Sequence, residues 1–303
     1  MSNSCLSSAV VEGSGTPILL LHGGPGLSAE TLAPVARLLR NDFQVVAYDQ
    51  LGTQTPGLSV ARLIQQIEDL RRRLGLETLV LLGHSWGAAL ACLYAATYKE
   101  RTAALVLVHP MEVSSNHLAV TQLEWERRRP WRDRLRTWAI QREIARRRCD
   151  AARRNALEAE QLLLDFRLTC ADAPKGSALH DLSFMGYDWQ AAERLWKDLE
   201  RRWPGADEGS YDLCPVFRSI EAPVQVIVGA RDVIDPQSSR QIAELTQGEY
   251  LCLQRSGHWS FLEQPREFKA SVCSFLQQVH RGSRHSVPLQ ETKPLKASAA
   301  GVR

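Results

Sequence analysis

No window of the sequence approaches the roughly 18 consecutive apolar residues that a membrane-crossing helix needs. A membrane partner is therefore not expected. The opening MSNSCLSSAVVEGSG has neither a basic first region nor a long apolar second one, which argues against a secretory signal. The seven cysteines (Cys5, Cys92, Cys149, Cys170, Cys214, Cys252 and Cys273) include no C-x-x-C pair, so neither a zinc ribbon nor a dithiol redox motif is available. Reduced thiols in a cytoplasm are the expectation. A large excess of one charge is also lacking. A net charge of +3 over 303 residues is too small to read the whole chain as a nucleic-acid binder.

What is present is an ordinary soluble composition, with 44% hydrophobic and 23% charged residues. Short Val/Ile/Leu-rich runs at 17–22, 42–49, 78–82, 104–109, 224–229 and 249–253 read as buried parallel strands. Helical spacing at 58–74, 87–98, 237–247 and 265–279 alternates with them. This predicts an α/β fold with a mostly parallel, doubly wound sheet. The alternation stops between 112 and 214, where only helical pattern is found. That stretch holds Trp125, Trp131, Trp138, Trp189, Trp196 and Trp203 and reads as a helical cap inserted into a core of 1–111 and 215–280. Residues 281–303 lack periodicity and are expected to form a disordered tail.

Gly83-His84-Ser85-Trp86-Gly87 stands between a strand-like and a helical run, and fits G-x-S-x-G. A serine on so sharp a turn is strained, and its flanking glycines let backbones approach closely. Such a turn raises Oγ above the sheet and aims the next N–H, that of Trp86, at a developing oxyanion. A second donor is expected from the glycine-rich loop after the first strand, His22-Gly23-Gly24-Pro25-Gly26, and is assigned to Gly24. His22 is read as the residue that holds this loop. The loop lacks the spacing of a dinucleotide or P-loop phosphate site. No cofactor or metal is expected.

An acid, Asp232, follows the strand at 224–229, and His258 follows the run at 249–253. Their order after Ser85 is nucleophile, acid, base. Asp235 competes with Asp232, since both lie in one loop. Among the eight histidines, His84 should point away from Oγ. His117 and His180 lie in the insertion, and His280 and His285 lie at or in the tail. His109 follows a strand, a place from which a side chain can face the site, but has no acid at a matching place before it. His258 is therefore the expected base.

Together, HGGPG (22–26), AYDQLG (47–52), GHSWGA (83–88), GARDVIDP (229–236) and SGHWSFLEQP (256–265) resemble the α/β-hydrolase superfamily, and within it the proline iminopeptidase branch. The resemblance covers roughly 15–110 and 215–280. It implies acyl-enzyme chemistry without a metal on a small amide or N-terminal aminoacyl substrate, such as a short peptide. A carboxylesterase, lactonase or thioesterase of similar fold, and a non-catalytic ligand-binding protein, are the alternatives. Two departures stand out: the branch's usual Arg is Leu51 and its second Gly is Gln54, so loop support must come from elsewhere. The branch also binds the substrate amine through cap glutamates. Glu112, Glu124, Glu126, Glu143, Glu193 and Glu200 are candidates here. Glu112 is the most interesting, because it follows the strand that opens the insertion; its plainer reading is a surface acid at a helix entry.

Residues 127–154 contain twelve arginines. With Trp131, Leu135, Trp138, Ile140 and Ile144 between them, they read as an amphipathic helix whose apolar side anchors the cap. The basic face is either plainly solvated or a landing surface for an anionic partner, an acidic substrate or a carrier protein. Nucleic acid is not expected there.

Overall fold

The structure is a computed structural model that describes residues 9–146, 150–171 and 187–283. Seven strands, β1 (Val10–Glu12), β2 (Pro17–Leu21), β3 (Gln44–Ala47), β4 (Leu79–His84), β5 (Thr102–Val108), β6 (Val224–Gly229) and β7 (Glu249–Leu253), form one sheet. Their order is β1-β3-β2-β4-β5-β6-β7, and only β1 runs antiparallel to its neighbour. Every residue of β2, β4 and β6 is buried, because helices cover both faces. Alternate residues serve opposite cores: Leu19, Leu81 and Leu105 pack on one side, Ile18, Val80 and Val106 on the other. A strand buried on both faces gains from apolar side chains at every position, which is why these runs are continuous rather than alternating.

The core helices are α1 (Ala33–Leu39), α2 (Val60–Arg73), α3 (Trp86–Thr97), α9 (Pro236–Thr246), α10 (Ser260–Glu263) and α11 (Pro265–Ser283). Neither β1 nor α1 was legible in the sequence. A three-residue edge strand and a seven-residue helix are each too short to show a period. Helix α11 continues to Ser283, so the first three residues of the expected tail are helical. Residues 284–303 lie outside the described residues. No helix among the described residues is long and apolar enough to cross a membrane.

Between β5 and β6 the chain forms α4 (Ser115–Arg128), α5 (Trp131–Ile144), α6 (Ala151–Thr169), α7 (Trp189–Arg202) and α8 (Cys214–Arg218). It leaves and returns through one stem: Ser114 and Asp212 bridge antiparallel, and Leu213 N–H donates to Val113 O at 2.9 Å.

The arginine-rich stretch corrects the sequence reading in two ways. It is not one helix but the end of α4, all of α5 and the start of α6. Only part of its apolar stripe anchors the insertion: Ile140 is buried, but Trp131, Leu135 and Trp138 are 66%, 60% and 58% exposed. The buried side of α5 is Thr137 and Ile140. Many of the arginines are tied down. Arg127 and Arg128 bind Glu124, Arg129 binds Asp165, Arg136 binds Glu160 and Arg153 binds Glu143. Arg132 and Arg142 lie over the rings of Trp131 and Trp138.

Candidate active site

Ser85 joins β4 to α3 with φ 55° and ψ −118°, a conformation that costs a non-glycine residue about 1–3 kcal/mol. The surrounding backbone enforces it. Ser85 N–H donates to Val108 O at 3.0 Å, and Ser85 O accepts from Ala88 N–H at 3.0 Å. The flanking glycines are sterically required. A Cβ on Gly83 would stand 2.3 Å from Gly87 O, and one on Gly87 would stand 2.1 Å from Leu21 O.

Trp86 opens α3, so its N–H has no acceptor one turn back. Gly23 and Gly24 both line the cavity over Ser85. A Cβ on Gly23 would lie 3.3 Å from Ser85 Cβ, which puts Gly23, the neighbour of the expected Gly24, beside the serine. His22 holds this loop. Its Nδ1–H donates to Gly23 O at 2.9 Å, and its Nε2 accepts from Gln50 N–H at 3.0 Å. Burial pushes the His22 imidazole below the ordinary histidine value, consistent with a neutral ring.

With Leu51 in place of arginine, support for the neighbouring loop comes from amides and one acid. Gln50 donates through Nε2 to His22 O at 2.8 Å and accepts from Trp86 Nε1 at 3.1 Å. Gln66 accepts from Leu51 N–H at 3.1 Å and donates to Asp49 O at 3.0 Å. Asp188, which precedes α7, binds the backbone N–H and hydroxyl of Thr53.

Strands β6 and β7 are parallel neighbours, so the turns after them meet at one sheet edge. Arg231 N–H donates to Ser256 O at 2.9 Å and joins the two turns. Asp232 thereby faces His258, with Nδ1 3.0 Å from Oδ2 and 3.2 Å from Oδ1. Nδ1 carries the proton that faces the carboxylate, which leaves Nε2 with its lone pair. Burial pushes the Asp232 carboxyl up. The neighbouring His258 and the hydrogen bonds from His109 and His258 outweigh it and hold the group well below the carboxylate range. Arg128 on α4 donates to Arg231 O at 2.7 Å and to Asp232 O at 2.9 Å, so one of the arginines braces the acid's turn.

The structure separates the competing residues. Asp235 caps α9 by accepting from Gln237 N–H at 3.0 Å, and it also binds His117. The sequence contained this signal, since Asp-Pro reads as a helix N-cap followed by proline in the first turn. His84 lines the same cavity, but its Nε2–H is engaged, donating to His258 O at 2.9 Å. His109 has the acid it lacked in sequence order: its Nδ1 lies 2.7 Å from Asp232 Oδ2. Because β5 and β6 are paired, the residues that follow them meet. His109, Asp232 and His258 are the three residues whose ligand atoms cluster within 4.8 Å among those described. Their separations are hydrogen-bond lengths, with a ring N–H facing the carboxylate from each side.

The cavity over Ser85 has a volume of about 270 Å³. His258 lines it, with Met111, Leu118, Trp125, Phe166 and Trp196 among its apolar walls. Of the six candidate glutamates, only Glu112 lines it. It is 4% exposed rather than a surface acid. Burial pushes its carboxyl up, against a hydrogen bond from Thr121. Glu124, Glu126, Glu143 and Glu193 are ion-paired elsewhere. Asp165 also lines the cavity but is paired with Arg129 at 2.7 Å.

This architecture has known counterparts. A proline iminopeptidase of Heyndrickxia coagulans is 24% identical over 281 residues, covering 88% of this chain and 93% of that protein. One from Saccharolobus solfataricus is 36% identical over 105 residues, 32% of this chain and 34% of that protein. Among solved structures, a thermophilic esterase from Thermogutta terrifontis superposes with TM-score 0.67 at 21% identity, covering 90% of this chain and 93% of that one. A proline iminopeptidase of Mycobacterium smegmatis gives 0.66 at 20% identity, covering 91% and 95%. Residues 16–265, which include Ser85, Asp232 and His258, match the family described as alpha/beta hydrolase fold, and the chain belongs to that family.

Proposed function

We propose that this protein is a metal-independent serine hydrolase that works through an acyl-enzyme on a small amide or N-terminal aminoacyl substrate. The observation that carries the reading is the strained Ser85, set at the head of α3 in a cavity it shares with His258, whose other ring nitrogen is held by Asp232.

In this mechanism Ser85 Oγ attacks the substrate carbonyl carbon as His258 Nε2 takes the hydroxyl proton. The C=O π electrons move onto oxygen, and the oxyanion is held by Trp86 N–H and by the glycine loop, through Gly24 or the adjoining Gly23. The tetrahedral intermediate collapses, the bond to the leaving amine breaks, and His258 returns the proton to that amine. Water, activated by His258, then attacks the acyl-enzyme and frees the acid and Ser85. Asp232 keeps the Nδ1–H tautomer and stabilises the imidazolium that forms.

Glu112 supports an aminoacyl substrate over a plain ester. It is the cavity's acid with no ion-pair partner among the described residues, and a substrate ammonium would supply one. The relatives named proline iminopeptidase point the same way.

A fluorophosphonate probe tests the chemistry. Labelling of the wild type and its loss in Ser85→Ala supports the hydrolase. No labelling of either points to a ligand-binding protein on this fold. Proline, alanine and phenylalanine arylamides, compared with arylesters of matched acids, test the substrate class. Turnover of esters alone overturns the aminoacyl part and leaves an esterase.

A further inference from the structure

Asp232 carries more than one imidazole. Its Oδ2 lies 3.0 Å from His258 Nδ1 and 2.7 Å from His109 Nδ1. Oδ1 accepts from Ile234 N–H at 3.1 Å. The His109 tautomer follows from its far side, where Nε2 lies 3.2 Å from the backbone N–H of Ser260. A backbone amide can only donate, so Nε2 must accept, and the ring proton stands on Nδ1 facing the carboxylate. Both ring nitrogens are then used in the neutral form, and protonating Nε2 would set two donors against each other.

The backbone is bent to deliver this ring. His109 N–H still pairs with Ile227 O at 2.7 Å, extending the sheet by one residue, and φ then turns to +46°. A histidine in that region is strained, and the two ring hydrogen bonds work against that strain. The ring is fully buried. Its titratable neighbours are Asp232, His258 at 5.3 Å between ring centroids, His84 at 6.1 Å, and Glu263 through the field of its carboxylate. Burial pushes the His109 imidazole below the ordinary histidine value, while Asp232 pulls the other way.

We infer that His109 is a positioning residue for the hydrolase proposed above: a neutral imidazole that fixes Asp232 against His258 and draws off part of the carboxylate's hydrogen-bonding power. The inference rests on that reading only for its kinetic consequence. A donor on Oδ2 lowers the charge that the same oxygen offers to His258. Removing it leaves the carboxylate freer to rotate and a stronger acceptor for the one ring proton that remains. A residue that merely filled space would do neither.

The test uses the full chain with 15N-labelled histidine, as wild type, His109→Phe and His109→Asn. In wild type, ring 15N shifts should report His109 as the neutral Nδ1–H tautomer, with two low-field ring protons on Asp232. In His109→Phe one of these disappears and the other moves further downfield. The acid limb of kcat/KM moves to higher pH, and kcat falls on the order of tenfold with KM little changed, as expected for a loosened catalytic geometry. Asn keeps an N–H that can reach Asp232, so it should bring the acid limb back toward its wild-type position. Thermal melts establish that each variant is folded. An Nε2–H or charged His109 in wild type overturns the inference even if no variant folds. So does a folded His109→Phe with an unmoved His258 ring proton, or an Asn variant indistinguishable from Phe. The NMR arm needs no turnover. Two low-field protons in a protein that neither hydrolyses nor labels would therefore overturn the hydrolase and leave the shared carboxylate standing.

Discussion

The backbone N–H of His258 donates to the carbonyl of Thr169 at 2.7 Å, so the residue proposed as the base is pinned to the end of α6, outside the sheet. The Thr169 hydroxyl also accepts from Trp259 Nε1 at 2.8 Å, and Glu263 joins Gly257 N–H to Ala171 N–H at 2.7 and 2.6 Å. The inserted helices and the core turn are one mechanical unit here. Thr169→Val leaves the buried Trp259 N–H without an acceptor and should destabilise the fold by about 1–3 kcal/mol in urea titration. Turnover should fall further than the folded fraction does. Equal losses would show that the clasp serves stability alone.

Asp232 and Asp235 are three residues apart and should behave oppositely. Asp232→Asn puts an amide where two ring protons expect a carboxylate, so turnover should drop on the order of 10³- to 10⁴-fold, the scale known for a triad acid exchanged for its amide. Asp235→Ala removes a helix cap, and about 1 kcal/mol of stability should be lost with kcat/KM close to wild type. Reversed kinetic effects would reassign the acid.

Glu112→Gln separates binding from stability. Its carboxyl is raised by burial in the fold, so the folded state holds the proton more tightly than the unfolded chain. That makes Glu112 neutral in effect below its unfolded value and a liability as pH rises past it. Glu112→Gln should therefore gain stability relative to wild type at pH 7 more than at pH 4, as read by chemical denaturation at both. For an aminoacyl arylamide, kcat/KM should fall roughly tenfold or more, with a matched acyl ester unaffected. An equal loss on both substrates removes Glu112 from amine recognition.

Glu68 predicts an acid-labile brace under α3. Hydrogen bonds from Arg71, then Tyr94 and Arg72, hold its carboxyl down from 4.5 to about 2 against burial. A depressed group stabilises the fold fully above its unfolded value and loses that contribution as pH falls toward the folded one. The stability advantage of wild type over Glu68→Gln should thus be present at pH 6 and shrink between about pH 4.5 and 2. A pH-independent difference would assign the effect to packing.

Gly87→Ala tests the steric reading of the serine turn. The new methyl would lie 2.1 Å from Leu21 O and 2.7 Å from His22 O, both backbone atoms that cannot swing aside. A loss of about 3 kcal/mol, with displacement of the glycine loop, is expected from overpacking against so rigid a wall. A variant of wild-type stability would mean the turn tolerates a side chain.

The central strands β2, β4, β5 and β6 and the helices that follow β4 and β6 were legible because burial on both faces leaves continuous apolar runs, and because 3.6-residue spacing survives over three turns. The serine turn was legible because two glycines at fixed spacing answer a local steric demand. The His109–Asp232 contact was not, since it needs the pairing of β5 with β6 across more than a hundred intervening residues. Glu112 read as well on the surface as in the cavity until the insertion closed over it. Trp131 and Trp138 misled for the converse reason: spacing shows that a helix has an apolar stripe but not which way the stripe faces.

By itself, then, the sequence determined the class of fold, the strained serine turn and the turns that carry Asp232 and His258, all consequences of local sterics and short periods. The tertiary structure alone decided which carboxylate meets which imidazole, which glutamate enters the cavity and which arginines are already paired. Those choices depend on strand order and helix packing, and the energies that set them belong to contacts between residues far apart in the chain.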